Sequence, residues 1–389
     1  MGEKSSIQWT NATWNPIVGC KIHSPGCKLC YAMHEAARQI RCAAGLKRET
    51  HYADTVKIAN GRPVWTGKIN AAPDRVWELP LRWRKPRMIF VNSMSDLFAE
   101  GVPEDWIDRA FATMALSPQH TFQVLTKRSA RMRAYLSDVA TVRRIYDLAC
   151  DIANDEALKV VLIAHPGMAA HAPPGPRVLL GNWPLPNVWP GVSTERQQEA
   201  DERIPDLLAT PAAVRFISAE PLIAPIDLTR LNLHSGAHTF FDATRGRFDI
   251  RGTATQLPNP MPGPMPLLDW VIAGGESSRL NVEDPRPMHP DWARSLRDQC
   301  AAAGVPFFFK QWGDWLPGHH YTEELKRLDS CLEQSRFACA DWDGDRSFDT
   351  DGLAGWDDLG PDAMWRVGTA KAGRILDGRT HDAFPAVAA

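Results

Sequence analysis

Short apolar runs that end in polar residues recur along the chain, and most are followed by a stretch with helical periodicity. Such runs are typical of buried strands, and strands that alternate with amphipathic helices are typical of a parallel sheet covered on its faces. We therefore predict an α/β fold, a partial or complete parallel (βα) TIM-like barrel of six to eight units. Strands are predicted at 87–96, 121–128, 188–195, 214–220, 270–276 and 305–311, and helices at 103–116, 129–136, 196–208 and 290–303.

Two segments interrupt this alternation. Residues 154–186 are rich in Ala, Pro and Gly, and residues 228–266 carry Gly, Thr and a Pro-Met-Pro run. Both are interpreted as insertions between barrel units. From about residue 317 the chain becomes acidic and contains tryptophan. We therefore predict a barrel over residues 1–316 and a C-terminal extension over residues 317–389.

Each predicted strand ends at polar or charged side chains. The carboxyl ends of parallel strands gather on one rim of a barrel, and ligands bind at that rim. We therefore expect these side chains to share one face, although any single one is equally well explained as a solvated strand end or an internal ion pair. The candidates are Ser93, Asp96, Lys127, Arg128, Ser193, Glu195, Glu220, Glu276, Lys310 and Gln311.

Composition and charge narrow the class of protein. The chain has 389 residues, of which 44% are hydrophobic and 23% charged, so it can bury a sizeable core. Its net charge of −2 argues against a protein that coats nucleic acid with its whole surface, although a local basic groove is compatible with it. The sequence has no signal peptide and no apolar run of about 18 residues, so we expect a cytoplasmic protein without membrane contact.

Three of the eight cysteines are clustered in a loop that contains Gly and Pro. Six residues separate Cys20 from Cys27, and two separate Cys27 from Cys30. In a reducing compartment, clustered cysteines are more often metal ligands or catalytic groups than disulfides. Thiolates are soft ligands that suit iron–sulfur clusters or zinc. We predict a metal centre on these three cysteines, with an iron–sulfur cluster that keeps one iron open to a substrate.

Three other interpretations of the cysteines stay open. A structural zinc site needs four ligands, and His23, His34 or Cys42 would supply the fourth. A redox dithiol at the Cys-x-x-Cys pair would leave the first cysteine without a role. Cysteines also pack as small hydrophobic residues, although a polar loop with Gly and Pro is not their usual surrounding.

Further motifs occur in a fixed order between about residues 5 and 315. They lie at 14–16, 90–98, 125–128, 189–193, 218–222, 269–277 and 306–313. Together with the cysteine segment they resemble the phage Gp37/Gp68 family, also called DUF5131. That family looks like a divergent branch of the radical S-adenosylmethionine (SAM) enzymes. The resemblance does not cover the two insertions or the acidic tail.

The resemblance implies a [4Fe–4S] cluster on the three cysteines, with SAM chelated by the fourth iron. One electron then cleaves the SAM sulfonium into methionine and a 5′-deoxyadenosyl radical, which removes a hydrogen atom from a substrate. The sequence departs from the usual superfamily spacing, which places three residues between the first two cysteines. Leu29 also stands where an aromatic residue is usual.

Residue roles follow from the charges of SAM. A carboxylate should pair with its ammonium group, and Asp96, Glu220 and Glu276 are the candidates. Lys127 or Arg128 would meet its carboxylate. The remaining assignments are Ser93 for the cofactor, Ser193 and Glu195 for ribose hydroxyls, Gly274 and Gly275 for close backbone approach, Lys127 and Lys310 for catalysis, and Gln311 and Trp312 for substrate.

The barrel and cysteine loop also resemble spore photoproduct lyase, a radical SAM enzyme that repairs DNA. This likeness implies a nucleobase or nucleic-acid substrate, stacked on tryptophan, and an electron donor such as a flavodoxin or ferredoxin. Two other classes of function are open. One is a zinc-stabilised barrel that binds or hydrolyses nucleic acid, and the other is a non-catalytic phage or defence-associated binding scaffold.

Overall fold

The chain divides into two compact units, each described here by itself. The computed structural model describes residues 5–155, 183–232, 239–250, 266–278, 285–317, 339–340 and 364–386. The first unit comprises Met1–Ser193, Asp201–Ser218 and Thr253–Asp269, and the second comprises Thr194–Ala200, Ala219–Gly252 and Trp270–Ala389. The predicted domain boundary at residue 316 stays a prediction.

The strands are β1 (Ala12–Trp14), β2 (Ile17–Val18), β3 (Val56–Ala59), β4 (Arg62–Trp65), β5 (Asn70–Ala71), β6 (Met88–Val91), β7 (Thr121–Thr126), β8 (Val188–Ser193), β9 (Phe216–Ala219), β10 (Leu231–Asn232), β11 (Thr239–Asp242), β12 (Arg247–Ile250), β13 (Trp270–Gly274), β14 (Phe307–Gln311), β15 (Trp315–Pro317), β16 (Cys339–Ala340) and β17 (Met364–Arg366). The helices are α1 (Tyr31–Gly45), α2 (Asp74–Trp77), α3 (Leu79–Arg82), α4 (Glu104–Ala115), α5 (Ser129–Ser137), α6 (Val139–Asn154), α7 (Gln197–Ala209), α8 (Pro290–Ala303) and α9 (Thr369–Ala372).

A seven-stranded sheet has the strand order β1, β6, β7, β8, β9, β13, β14. In the first unit, each neighbouring pair from β1 to β9 is parallel. In the second unit, β13 and β14 are also parallel. The predicted α/β fold with a parallel sheet is therefore confirmed. The six predicted strands all exist, and β1 is an additional one. Closure into a TIM-like barrel stays a prediction.

Both faces of the sheet in the first unit are buried, as expected for parallel strands. On one face, the rings of Trp9 and Phe90 lie 4.8 Å apart between centroids. Trp14 instead packs edge-on against Phe122 at 5.9 Å, and its indole nitrogen donates to the carbonyl of Val76 at 2.8 Å. The near-continuous apolar runs in the sequence reflect this double burial.

Local capping signals explain where helix α8 begins and ends. Pro290 occupies its first turn, and the side chain of His289 accepts a hydrogen bond from the amide of Asp291. Gly304 ends the helix at φ 72°, a left-handed conformation that glycine adopts freely. In the described part of the chain, no helix is long and apolar enough to span a membrane.

The segments predicted as insertions and as an extension are described only in part. Strands β10, β11 and β12 form an antiparallel sheet within the predicted insertion at 228–266. Most of the predicted insertion at 154–186 lies outside the described residues. Strand β17 of the tail pairs antiparallel with β15 and β16. The described tail is therefore joined to the second unit by backbone hydrogen bonds.

In the second unit, Asp377 forms ion pairs with Arg294 and Arg297 of α8. Hydrogen bonds from Arg294, and then from Arg297, lower the pKa of Asp377 from 3.8 to about 2. A depressed carboxyl pKa stabilises the fold above the unfolded pKa, and this contribution is lost as the pH falls through the folded pKa. We expect Asp377→Asn to lower the free energy of unfolding by about 1 kcal/mol at neutral pH, because the pair is partly exposed.

Urea unfolding of wild type and Asp377→Asn at several pH values tests this assignment. The difference between the two proteins should be constant above about pH 4 and should shrink towards pH 2. A difference that stays constant over that interval would contradict the ion-pair assignment.

Candidate functional site

The cysteine loop, defined as residues 19–30, begins directly after β2, which follows β1 and pairs antiparallel with β5. Gly19 begins it at φ +91°, and a Cβ at this position would lie 2.1 Å from the carbonyl oxygen of Lys68. The Gly19 amide donates to the carbonyl of Met94 at 3.2 Å. At its other end, Cys30 immediately precedes helix α1. The sheet, the glycine and the helix therefore fix both ends of the loop.

The three thiols of the cysteine loop influence one another electrostatically. Burial, the Asp96 carboxylate and the two other thiols raise the pKa of Cys20 to about 12. Burial, with a contribution from Cys27, also raises the pKa of Cys30. Cys27 differs: burial opposes its thiolate, but the charge of Lys127 and hydrogen bonds from the loop lower its pKa. Cys27 thus contributes to the raised pKa of both other thiols, while its own pKa is lowered.

Among the described residues, no three His, Cys, Asp or Glu side chains are grouped closely enough to hold a metal ion. His23 and Cys42 are exposed, and His34 lies partly buried on α1. A tetrahedral zinc site requires four donors at about 2.0–2.3 Å from one ion, and these residues do not form one. The predicted metal centre stays a prediction.

The Asp96 carboxylate is buried and hydrogen-bonded through both oxygens. Oδ1 accepts from the Thr126 hydroxyl at 2.7 Å and the Phe98 amide at 2.9 Å. Oδ2 accepts from the Lys127 amide at 2.9 Å and from Arg128 Nη1 at 3.3 Å. Four protein donors therefore occupy the carboxylate that was expected to pair with an ammonium group of SAM. In this structure, Asp96 joins the segment after β6 to the end of β7.

Arg128 connects the end of β7 to the cysteine loop. Its side chain is 5% exposed and lies 3.3 Å from Asp96 on one side and 3.3 Å from Glu100 on the other. Nη2 also donates to the carbonyl oxygen of Lys21 at 3.3 Å. Because Lys21 directly follows Cys20, the guanidinium helps to set the position of the first cysteine.

Lys127 contacts the same loop at a second point. Its Nζ donates to the Ser24 hydroxyl at 3.1 Å, and that hydroxyl lies 3.9 Å from Cys27 Sγ. Burial lowers the pKa of Lys127 to about 8. The structure therefore brings the predicted residues Lys127 and Arg128 together with the cysteines, while the catalytic role of Lys127 stays a prediction.

The two predicted serines of the first unit take part in backbone contacts. Ser93 Oγ donates to Asn15 Oδ1 at 3.1 Å, and its carbonyl accepts from the Tyr31 hydroxyl at 3.0 Å. Ser193 is buried, and its carbonyl accepts from Arg203 Nη1 at 2.7 Å. Ser93 therefore helps to attach helix α1 to the end of β6.

The other predicted site residues belong to the second unit. Lys310 Nζ lies 3.0 Å from Glu220 Oε1, and a Cβ on Gly274 would lie 2.6 Å from that same oxygen. Glu276 accepts from the backbone amide and Nε of Arg286 at 2.8 and 2.9 Å. Both carboxylates expected to bind an ammonium group are thus engaged in ion pairs within the unit.

Trp312, the predicted stacking platform, lies in the interior of the second unit. It is fully buried, and its indole nitrogen donates to the carbonyl of Ile375 at 2.8 Å. The Gln311 carbonyl accepts from the Gly275 amide at 2.9 Å. Glu195 is also completely buried. Trp312 is packed as a core residue here, and its contact with substrate stays a prediction.

Several residues around the cysteine loop were not singled out from the sequence. Ser24 and Tyr31 contact predicted site residues across long stretches of chain, and Arg203 contacts Ser193 ten residues earlier; no local pattern marks these three. Asn92 is different, because it directly follows the apolar run of β6. That position is a usable signal, since polar residues at the carboxyl ends of parallel strands often face ligands.

Comparison with known proteins identifies one family. The family model described as "Protein of unknown function (DUF5131)" matches residues 4–385. No curated protein and no solved structure matches the chain. The match includes the cysteine loop and extends through both units.

The buried Asp96–Arg128 pair should contribute strongly to stability. We expect Asp96→Ala to lower the free energy of unfolding by about 3–5 kcal/mol, because it leaves Arg128 buried without its main partner. Glu100→Ala is the matched control, since Glu100 pairs with the same guanidinium but its side chain is 60% exposed. It should cost no more than about 1 kcal/mol. Equal losses in denaturant unfolding would contradict this ranking.

Gly275 should tolerate no side chain. A Cβ there would lie 1.9 Å from the carbonyl oxygen of Trp312, which is backbone and cannot swing away. We expect Gly275→Ala to destabilise the protein by about 1–3 kcal/mol. Gly45→Ala is the control, because nothing lies within 4 Å of its added methyl group at the end of α1. Its unfolding midpoint should be unchanged or slightly raised.

Proposed function

The chain belongs to the DUF5131 family, and we propose that it is an iron–sulfur protein whose Cys20, Cys27 and Cys30 bind a [4Fe–4S] cluster. One observation supports this most directly. Three cysteines stand in one loop of residues 19–30, and two cationic side chains from the end of β7 contact that loop: Lys127 at the Ser24 hydroxyl and Arg128 at the Lys21 carbonyl. That loop follows β1 of the parallel sheet and the short strand β2, and ligands bind at the carboxyl ends of the strands in such sheets.

A [4Fe–4S] cluster and a single ion require different arrangements of the thiolates. In a [4Fe–4S] cluster each thiolate binds a different iron, so the sulfurs are farther apart than around one zinc ion with bonds of about 2.3 Å. Three cysteine ligands would leave one iron free for another molecule.

We further propose a radical SAM-type enzyme on a TIM-like barrel. When bound, the cluster and SAM supply one-electron cleavage of the sulfonium and a carbon radical for hydrogen abstraction. In the first unit, Asp96 and Arg128 hold the cysteine loop, and Lys127 places an amine beside the thiols. The proposed substrate is a nucleobase or nucleic acid, and the proposed electron donor is a flavodoxin or ferredoxin.

Anaerobic purification followed by iron and sulfide analysis tests the cluster. We expect about four irons and four sulfides per chain, with the brown absorbance of a cluster. Cys27→Ala should lose both, whereas Cys42→Ala should retain them, because Cys42 is exposed on α1 outside the loop. Circular dichroism of both variants checks that they fold.

The metal content also distinguishes an iron–sulfur protein from a zinc-stabilised barrel. A colourless protein with one zinc would support the zinc-stabilised barrel, and a metal-free protein after cluster reconstitution would remove the cluster proposal. Addition of SAM and dithionite to the loaded protein then tests the radical chemistry by its product, 5′-deoxyadenosine. If the cluster-loaded protein forms no 5′-deoxyadenosine under strong reduction, the cluster proposal stands and the proposal of a radical SAM enzyme is contradicted.

A further inference from the structure

A short segment of the first unit concentrates positive charge. Residues 21–48, which run from the cysteine loop through α1, carry six Lys and Arg side chains and one carboxylate, Glu35. Of the chain's 44 Lys and Arg and 46 Asp and Glu, 38 and 45 lie outside this segment, so its net charge of +5 contrasts with −7 elsewhere. We call the six cations the basic face: Lys21, Lys28, Arg38, Arg41, Lys47 and Arg48.

The basic face is exposed and largely without counter-charges. All six residues are exposed. Arg38 pairs with Glu35, at 2.6 Å between Nη2 and Oε1, whereas none of the other five forms an ion pair with a described residue. Arg143 of α6, an exposed arginine elsewhere in the first unit, does pair with a carboxylate, that of Asp147. Cations without a neighbouring carboxylate create a positive potential that attracts an anionic ligand.

The periodicity of α1 places its cations on the side of the helix that faces solvent. Arg38 and Arg41 follow Tyr31 by seven and ten residues, so the three lie within one side of the helix. The opposite side packs into the core through Ala32, Met33 and Ala36. The 15 residues of α1 span about 22 Å, with Lys28 just before the helix and Lys47 just after it. The basic face therefore extends along the helix, starting beside the cysteines.

An exposed aromatic ring lies at the cysteine end of the basic face. Tyr31 directly follows Cys30 and is 51% exposed. Its hydroxyl donates to the carbonyl of Ser93 at 3.0 Å, which holds the ring in place while half of the side chain stays open to solvent. A nucleobase can stack on such a ring when the base is unpaired, whereas the bases of a duplex are already stacked on one another.

We propose that the basic face and Tyr31 bind single-stranded nucleic acid, with its phosphates along α1 and one base stacked on the Tyr31 ring beside Cys30. An acidic protein is the competing class of ligand, and a protein interface normally contains a contiguous apolar core. The exposed apolar residues here, Ile22 and Leu46, lie near opposite ends of the segment, so they do not form one. The proposal rests on the proposed function for the reaction that follows binding, whereas binding itself requires no iron.

Fluorescence anisotropy of the full chain with a labelled single strand of about 12 nucleotides tests the proposal. The duplex of the same sequence and poly-L-glutamate are the competitors. We expect the single strand to bind more tightly than the duplex and to resist displacement by poly-L-glutamate. Five unpaired cations should make log K fall with log salt concentration with a slope of about −3.5. Absence of strand binding, equal affinity for the duplex, or displacement by poly-L-glutamate at equal charge would overturn the proposal, and the last result would indicate an acidic protein.

Three cations far along the chain from the cysteines test the basic face without changing the metal ligands. The triple variant Arg41→Gln, Lys47→Gln and Arg48→Gln should reduce the salt slope by about 2 and weaken strand binding about 30- to 100-fold near 0.1 M salt. Its iron content should equal that of wild type.

A second triple variant is the matched control, since it removes the same charge from exposed arginines of the first unit that have carboxylate partners. The three are changed to Gln and are Arg82, Arg133 and Arg143. This variant should bind the strand as wild type does. Equal weakening in the two triple variants would show that only net charge matters and would overturn the assignment to the basic face.

Tyr31→Leu and Tyr31→Phe test the stacked base. The leucine variant should bind the strand about 10-fold more weakly with an unchanged salt slope, because stacking involves no phosphate. The phenylalanine variant keeps the ring and should bind nearly as wild type does, whereas equal binding by the leucine variant would contradict the stacking. Iron analysis of the same preparations decides the cluster separately. A cluster-loaded protein that binds no strand therefore contradicts only this proposal, and an iron-free protein that binds the strand contradicts only the cluster.

Discussion

The buried contact between the Asp96 carboxylate and the Arg128 guanidinium connects the parts of the first unit on which the candidate site depends. Asp96 accepts from the end of β7, and Arg128 continues to the carbonyl that follows Cys20. A buried charge pair stabilises a fold only when its remaining donors and acceptors are also bonded. Here both carboxylate oxygens are bonded twice. The strand ends and the cysteine loop are therefore positioned by the same hydrogen bonds.

The polar residues at the strand ends are used differently in the two units. In the first unit, Lys127 and Arg128 contact the cysteine loop. In the second unit, the Glu220–Lys310 and Glu276–Arg286 pairs satisfy one another. Charged groups with internal partners bind a further ion less readily, because the partner must first be displaced. Asp96 and Arg128 are paired in the same way in the first unit, so the difference between the units is the contact of Lys127 and Arg128 with the cysteine loop.

Some features of the fold could be predicted because they leave a local pattern. The strands from β6 to β14 in the main sheet are apolar runs of four to six residues, and burial on both faces produces such runs. Strand β1 has three residues, too few for a pattern to emerge. The Asn60-Gly61 pair is a sequence signal for the hairpin of β3 and β4, because a tight hairpin turn needs positive φ at both residues, as they have here.

The sequence by itself determined the parallel α/β sheet, the family and the three cysteines of one loop, because each is encoded in neighbouring residues. Only the tertiary structure decided which polar side chains at the strand ends contact the cysteine loop and which form ion pairs with one another. The partners of Asp96 at 126–128 and the partner of Glu220 at Lys310 lie far along the chain. No local pattern reports such contacts, since they arise only when distant strands are brought side by side. The hydrogen bond from the Tyr31 hydroxyl to Ser93, 62 residues away, likewise exists only in the folded chain.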